Sequence, residues 1–473
     1  MATLMDKIYN HSPLWIQNIG IAAFGVMWKY RRFGGKFKAT VDEFSSRERF
    51  SLPAWQGYQV EKLRELLRVC YFETPYYRRL FKDCGIDETS IRNFSLDDLR
   101  KLPLLEKNTI REHPEDFIAE NARKKKLHKY HTSGSTGTPL IVCESSATQQ
   151  TVAAAYEARC RRWAGVNHTM SRAMIGGRLV VPRPVSGPPF WRYNPAERQV
   201  YFSAFHISPE NVKHYVSALN HYKADYLVGY ASSHYFLARM IEEQGLTVYS
   251  PHCVLTSSEK LTDEMRHTLE RVYRCEVFDG YSGVECCCLA SECEHHHLHV
   301  SPDVGIIELL DDSGNHVKSG ETGEIVATGL INFEQPLVRF RTGDIAIFDE
   351  GSCTCGREMP ILRELVGRIE DTIYGVDGRQ FVRFHGIFVG IPSIREGQVI
   401  QETLTEFTIR VVAPNGLSDH DRSDINHRMR DRLGNVRVSI ELVSEIERTA
   451  RGKFKAVICK LTADDKMRLR KNE

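Results

Sequence analysis

The feature that most constrains the fold is a strand–turn–helix order that occurs twice in succession between residues 224 and 285. The segment 224–246 begins with an apolar run, reaches a turn at Gly229 and continues with helical spacing. The segment 251–285 repeats this order and ends in a second apolar run and a glycine-containing turn. Alternating strands and helices form sheets covered by helices, and ligands bind beyond the carboxyl ends of the strands. We therefore predict an α/β fold with its binding groups in these turns.

Chain length and a change of pattern near residue 367 predict two domains. The 473 residues exceed the usual size of one domain. Runs rich in β-branched residues, separated by turns, follow from Asp303 to Phe348, and a short mixture of strand and helix patterns follows residue 367. We predict a large N-terminal domain at residues 1–366, with packed α/β sheets and a β-rich subdomain. A small, mobile α+β domain is predicted at residues 367–473.

The charge balance and the cysteines restrict the partners and the compartment. Lysine and arginine total 63 against 61 acidic residues, a net charge of +2, so no nucleic-acid partner is predicted. The 13 cysteines are odd in number and partly adjacent, which favours free thiols or a metal site over a disulfide framework. We predict a cytoplasmic protein.

Residues 1–50 form an N-terminal extension whose segment 12–38 is first apolar and then basic. Polar residues interrupt the apolar run, which is shorter than a full membrane span. Two interpretations remain open. The segment is either a helix packed on the main body or a peripheral membrane contact, with Lys29, Arg31 and Arg32 at the lipid headgroups.

The segment HTSGSTGTP, at residues 131–139, is a polar, glycine-dense turn before an apolar run. Gly134 and Gly137 allow backbone angles that direct several N–H groups toward phosphate oxygens, and the neighbouring hydroxyl groups add donors. No lysine follows the second glycine, so the turn departs from the nucleotide-kinase pattern GxxxxGK[ST]. On these residues alone, an ordinary turn explains the pattern equally well.

Six segments together resemble the adenylate-forming enzymes, the acyl–CoA synthetase and ligase superfamily. HTSGSTGTP resembles that superfamily's phosphate-binding loop, and five further motifs follow in the same order as in the superfamily. They are the adenine wall TSSEKL (256–261), the aromatic-to-glutamate motif GYSGVE (280–285), the ribose segment RFRTGDIAIF (339–348), the hinge VGRIEDTI (366–373) and the lysine loop RTARGKFKAVI (448–458). Shorter segments, CTCGR among them, are most similar to the phenylacetate–CoA ligase family and its capsular-polysaccharide-biosynthesis-type relatives.

The resemblance implies a reaction in two steps. A small carboxylic acid attacks the α-phosphate of ATP in the presence of Mg²⁺, pyrophosphate leaves, and the acyl-adenylate then passes its acyl group to a thiol, of coenzyme A or a carrier, or to an amine. An aryl, amino or hydroxy acid is expected. The alternative is a non-catalytic, zinc-stabilised scaffold or acyl-binding descendant of the same fold.

The resemblance also implies residue roles. Lys453 is expected to bridge the carboxylate and the α-phosphate, and Glu285 is expected to hold Mg²⁺. The expected nucleotide-binding residues are Thr132, Ser133, Gly134, Ser135, Thr136, Gly137, Ser257, Ser258, Glu259, Tyr281, Asp344 and Arg368. Tyr230, Ser232, Ser233 and His234 are expected to line the acyl pocket, and Glu370 or Asp371 is the expected hinge.

These roles have structural alternatives. Asp344 could cap its own turn, and Lys453 could be a surface lysine. The motif around Glu285 also departs from the superfamily pattern, because Ser282 and Val284 replace its glycine and its hydroxyl residue.

A cluster of cysteine and histidine residues predicts a structural metal site. We assign Cys293, His299, Cys353 and Cys355 as four ligands of a Zn²⁺ ion, which favours thiolate and imidazole donors in a tetrahedron. Any residue of the run 295–297 could replace His299. Free thiols beside a solvated histidine run would explain the same pattern. Some members of the phenylacetate–CoA ligase family resemble this arrangement.

Overall fold

The computed structural model describes residues 4–132, 140–182, 187–368, 372–376, 380–381, 385–388, 391, 393–449, 454–462 and 465. The described α-helices are α1 (Leu4–His11), α2 (Leu14–Phe33), α3 (Phe37–Ser46), α4 (Leu52–Glu73), α5 (Pro75–Asp83), α6 (Glu88–Arg92), α7 (Lys107–Glu112), α8 (Ser146–Tyr156), α9 (Val212–Tyr222), α10 (Ala231–Glu243), α11 (Asp263–Tyr273) and α12 (Asp419–Leu433).

The first ten strands are β1 (His128–His131), β2 (Ile141–Glu144), β3 (Arg172–Gly176), β4 (Trp191–Asn194), β5 (Gln199–Ser203), β6 (Tyr226–Tyr230), β7 (Cys253–Ser257), β8 (Glu276–Ser282), β9 (Leu289–Glu292) and β10 (Leu298–Val300). The others are β11 (Gly305–Leu310), β12 (Thr322–Gly329), β13 (Phe340–Asp349), β14 (Ile361–Arg368), β15 (Ile373–Tyr374), β16 (Gln380–Phe381), β17 (Glu396–Gln401), β18 (Glu406–Val412), β19 (Arg437–Leu442) and β20 (Val457–Cys459).

The chain divides into two compact units. Unit 1 comprises Met1–Thr342 and Ala346–Glu364, and unit 2 comprises Gly343–Ile345 and Leu365–Glu473. A sheet of twelve strands has the order β11-β12-β13-β14-β10-β9-β8-β7-β6-β3-β5-β4. Its central strands β5, β3, β6, β7 and β8 are parallel, which confirms the α/β class predicted from the alternating pattern.

Gly229 lies inside strand β6, so the prediction of a turn at this residue is wrong. Its φ of 150° belongs to the region that favours glycine, and a Cβ atom there would collide with the carbonyl oxygen of Ile175 on the neighbouring strand β3. Close backbone approach explains the glycine, which local sequence cannot distinguish from a turn.

Thr74 separates two consecutive helices, α4 and α5. Thr74 has extended backbone angles (φ −111°, ψ 110°), since a residue before proline avoids the helical region, and Pro75 begins α5. Both helices contribute to a buried apolar cluster that includes Leu63, Phe81 and Phe340.

Unit 2 contains a four-stranded sheet in the order β19-β18-β17-β20, with α12 packed against it. Ile409 on β18 and Ile425 and Met429 on α12 are fully buried between the two. Ser418 and Asp421 form a capping box at the start of α12. Across the described ranges, no helix is both long and apolar enough to cross a membrane.

Candidate functional site

Three predicted site segments meet in one row at the carboxyl ends of neighbouring parallel strands in unit 1. Tyr230 on β6 pairs with Ser257 on β7, and Ser257 pairs with Gly280 on β8. Tyr281 follows Gly280 on the same strand, and Ser258 turns the chain away with a φ of 70°. This edge is where open α/β sheets bind ligands.

Glu259 fixes the start of α10, the helix that follows this row. Its Oε2 atom accepts hydrogen bonds from the backbone N–H of Ser232 at 3.0 Å and from the Ser232 hydroxyl at 2.6 Å. The helix has no side-chain cap from its own N-cap residue, Tyr230. Glu259 therefore supplies the negative charge that a helix N-terminus favours and ties the adenine-wall segment to the predicted acyl pocket.

The other two residues assigned to the acyl pocket lie inside α10. Ser233 is buried, and His234 is completely buried, so that burial lowers its pKa to about 4. A neutral His234 beside Gly229 contributes to the packing of α10 on the sheet. Substrate binding by Tyr230, Ser232, Ser233 and His234 stays a prediction.

The ends of the glycine-rich turn are joined to each other. Thr132 donates its N–H to the Leu140 carbonyl at 3.0 Å, and its Oγ1 accepts from the Leu140 N–H at 2.9 Å. These bonds extend the antiparallel pair β1–β2 to the two residues that flank the segment 133–139. Ser133, Gly134, Ser135, Thr136 and Gly137 lie outside the described residues.

A buried acidic group that the sequence analysis missed lies close to the predicted Mg²⁺ ligand. Glu285 is half-buried after β8, and the next residue, Cys286, places its Sγ 3.7 Å from Oε2 of Glu144. Burial, together with a smaller contribution from nearby Glu334, raises the pKa of Glu144, on β2, to about 7. The signal in the sequence is a glutamate directly after the apolar run LIVC.

The two predicted ribose contacts lie side by side in unit 2. Arg368 Nε, at the end of β14, is 3.1 Å from Oδ1 of Asp344 on β13. The Asp344 side chain is 17% exposed and the Arg368 side chain 38%, so both present polar atoms to solvent. The remaining predicted residues, Lys453, Glu370 and Asp371, lie outside the described residues.

The four predicted metal ligands converge into one buried cluster in unit 1. One ligand atom from each of Cys293, His299, Cys353 and Cys355 lies within 4.8 Å of all the others. The Sγ atoms of Cys293 and Cys353 are 3.7 Å apart, and Cys355 Sγ is 3.4 Å from Nε2 of His299. A tetrahedral ion bound by thiolates at about 2.3 Å requires ligand separations of about 3.6–3.8 Å. The donor set fits such an ion.

The surroundings orient these ligands. Nδ1 of His299 faces the Met359 carbonyl oxygen at 3.3 Å, which leaves Nε2 directed at the thiols, and burial lowers the pKa of this imidazole to about 4. Backbone N–H groups of His295 and Cys355 donate to the sulfurs of Cys293 and Cys353 at 3.4 Å.

The three histidines at 295–297, which precede His299, differ from it in burial and contacts. His295 and His297 are exposed, and His296 pairs with Glu292 at 3.4 Å. His297 still places Nδ1 3.1 Å from Cys353 Sγ, at the solvent side of the cluster. His299 is the buried one of these histidines, which supports its choice over residues 295–297.

Comparison with known sequences gives relatives over nearly the whole chain. The family model "CapK C-terminal domain" matches residues 377–460. Protein CapK of Staphylococcus aureus is 25% identical over an alignment that covers 96% of this chain and 99% of the relative. The phenylacetate-coenzyme A ligases of Pseudomonas putida (26% identical, 88% of each chain) and Thermus thermophilus (23% identical, 85% of this chain and 96% of the relative) are also similar.

Comparison with solved structures gives the fold. A 2-hydroxyisobutyryl-CoA ligase in the postadenylation state, in complex with R3-HIB-AMP, superposes with a TM-score of 0.69 at 20% identity, over 90% of this chain and 93% of the other. The same ligase in complex with 2-HIB-AMP and CoA gives a TM-score of 0.54 at 21% identity, over 87% and 91%. The predicted resemblance to adenylate-forming ligases, and to the phenylacetate–CoA ligase and CapK group, is confirmed.

Proposed function

We propose that this protein is an ATP-dependent carboxylate ligase. It activates a small carboxylic acid as an acyl-adenylate, releases pyrophosphate and transfers the acyl group to a thiol or an amine. The observation that carries the proposal is the row of Tyr230, Ser257 and Gly280, which brings the acyl-pocket, adenine-wall and aromatic-to-glutamate segments to one sheet edge. Relatives named phenylacetate-coenzyme A ligase, matched over 85–88% of this chain, support the same activity.

The first step is limited by charge, because a carboxylate must attack a phosphate that is itself anionic. Main-chain N–H groups of the turn 133–137 hold the leaving phosphates. Glu285 would hold Mg²⁺, which would neutralise charge on the phosphate oxygens. Lys453 places a positive charge between the attacking carboxylate and the α-phosphate.

The nucleoside part is held by groups with complementary chemistry. Tyr281 stacks on the adenine, and the main chain of Ser257, Ser258 and Glu259 borders the base. Asp344 accepts hydrogen bonds from the two ribose hydroxyls, since a carboxylate offers two acceptor oxygens. Its ion pair with Arg368 orients the carboxylate and places a donor at the same sugar.

In the second step the lysine must leave so that the acceptor can reach the adenylate. We place the pivot at Glu370 and Asp371, after Arg368, so that residues 372–473 move as a lid. The similarity to relatives named phenylacetate-coenzyme A ligase favours a thiol as the acceptor, and an amine is the alternative. None of the 13 cysteines forms a disulfide, which suits the reducing cytoplasm.

A structural Zn²⁺ ion accompanies this activity in our proposal. Cys293, His299, Cys353 and Cys355 supply the Cys₃His set, and the ion joins the β9–β10 hairpin to the segment before β14. Since the four residues are buried and no general base accompanies them, we assign the ion a role in stability and none in the reaction.

Exchange of labelled pyrophosphate into ATP tests the proposal and finds the substrate. Purified protein is assayed with Mg²⁺ and a panel of aryl, amino and hydroxy acids, and at least one acid should stimulate exchange. Lys453→Ala should reduce the exchange rate at least about 100-fold without a change in melting temperature. Lys460→Ala, in the same unit, serves as the matched control. Absence of exchange with every acid would favour the non-catalytic alternative, and wild-type exchange by Lys453→Ala would refute the role of that lysine.

A further inference from the structure

Helix α2 has a continuous apolar face on its solvent side. Trp15, Ile19, Val26 and Tyr30 are spaced by four, seven and four residues, which places them on one side of a helix. Their exposed fractions are 64%, 60%, 63% and 76%. Helices at the surface of a soluble protein usually present the opposite pattern, with charged residues outward.

The opposite face of α2 is firmly attached to unit 1, so the apolar side cannot turn inward. The buried Gln17 accepts a hydrogen bond from Arg192 Nε at 2.9 Å, and Arg32 forms an ion pair with the buried Glu197. Between them, Gly25 lies against Asn194 so closely that a Cβ atom would clash. Polar and close-packed contacts hold the inner face, while large apolar side chains remain in water.

The charge around this face indicates what covers it. Residues 7–41 contain six lysines and arginines and no aspartate or glutamate. Lys29 lies on α2 between Val26 and Tyr30 and is exposed, as are Lys36 and Lys38 just beyond the helix. A second copy of this chain would bring equal positive charges together, whereas an anionic lipid surface complements them.

The structure corrects one detail of the sequence-based hypothesis. Arg31 donates hydrogen bonds to Gln149 and Tyr130, and Arg32 pairs with Glu197, so both arginines are directed toward the protein. Lys29 alone of the three predicted headgroup contacts is exposed.

We propose that α2 is a membrane-docking helix that lies in the plane of an anionic lipid surface. Trp15, Ile19, Val26 and Tyr30 enter the boundary between headgroups and acyl chains, with the two aromatic rings near opposite ends of the helix. Lys29, Lys36 and Lys38 contact the headgroups. The inner face keeps its contacts with Arg192 and Glu197, so unit 1 rests on the membrane through this helix.

Co-sedimentation of the full-length protein with lipid vesicles tests the proposal. Vesicles of phosphatidylcholine alone are compared with vesicles containing about one third phosphatidylglycerol, at low and at physiological salt. Wild-type protein should bind the anionic vesicles and bind neutral vesicles at least about tenfold more weakly, because three lysines each contribute about fivefold. The double variant Trp15→Glu, Ile19→Glu should lose at least about 90% of vesicle binding, because two large apolar groups no longer enter the lipid.

Matched controls separate docking from folding and from catalysis. Leu442→Glu places the same charge at another exposed apolar residue, 48% exposed, and should sediment like wild type. The double variant should keep the wild-type melting temperature and rate of pyrophosphate exchange. Two results would overturn the proposal: no binding of wild-type protein to either vesicle, or a wild-type dimer that Trp15→Glu, Ile19→Glu converts to a monomer.

Discussion

The proposed metal site and the outer face of α2 lie in the same unit and contrast in burial. The metal site buries three thiols and an imidazole, whereas α2 exposes two aromatic and two branched apolar side chains. Buried thiols ionise only when a cation compensates their charge, and exposed apolar side chains are unfavourable unless an apolar phase covers them. The two regions thus indicate two different binding partners, a metal ion and a lipid surface.

The largest effect is expected from removal of one metal ligand. Cys353→Ser should abolish bound zinc, measured by elemental analysis of freshly reduced protein, because three ligands leave a buried, incomplete site. Loss of the ion should lower the melting temperature by roughly 10 °C or more. Cys84→Ser, at an exposed cysteine, should change neither quantity. Freshly reduced wild-type protein that contains no metal, and whose melting temperature is unchanged in Cys353→Ser, would refute the metal site.

A second prediction contrasts the two faces of α2. Gly25→Val should lower the free energy of unfolding by about 1–3 kcal/mol, because its side chain would displace Asn194, which is buried and caps the next turn. Ile19→Glu on the outer face should stay within about 0.5 kcal/mol of wild type. Urea denaturation measures both. If both variants lower the free energy of unfolding equally, the outer face of α2 is packed against protein in solution and is not a free surface.

A third prediction concerns Glu144, a buried acid whose burial favours the protonated form. Its pKa is raised to about 7 in the folded protein against an ordinary value near 4.5 when unfolded. A carboxyl group with a higher pKa in the folded than in the unfolded state contributes to the free energy of unfolding. This contribution is fully present below pH 4.5 and is lost as the pH rises through 7. Glu144→Gln should therefore flatten the decline of the melting temperature between pH 5 and 8, while Glu112→Gln at an exposed site should not. An unchanged slope in Glu144→Gln would show that another group carries the dependence.

The sequence predicted what local patterns encode and missed what distant contacts decide. Alternating apolar runs predicted the α/β class, and the clustered cysteines and histidines predicted four residues that the fold brings together. No local pattern distinguishes Gly229 in a strand from Gly229 in a turn, because the constraint is the Ile175 carbonyl on a neighbouring strand. The sequence likewise predicted that Arg31 contacts lipid headgroups. In the structure Arg31 binds Gln149, which lies 118 residues away along the chain, so no local pattern could indicate this contact. The Glu259–Ser232 contact also needs the folded sheet before it exists.

The central claim, that the protein activates a carboxylate through an acyl-adenylate, is tested most directly with an acid labelled with ¹⁸O in its carboxyl group. If a carboxylate oxygen attacks the α-phosphate, one labelled oxygen should remain in the AMP released after acyl transfer, and mass spectrometry of the nucleotide would detect it. Label in inorganic phosphate together with ADP, or AMP without label, would contradict the account.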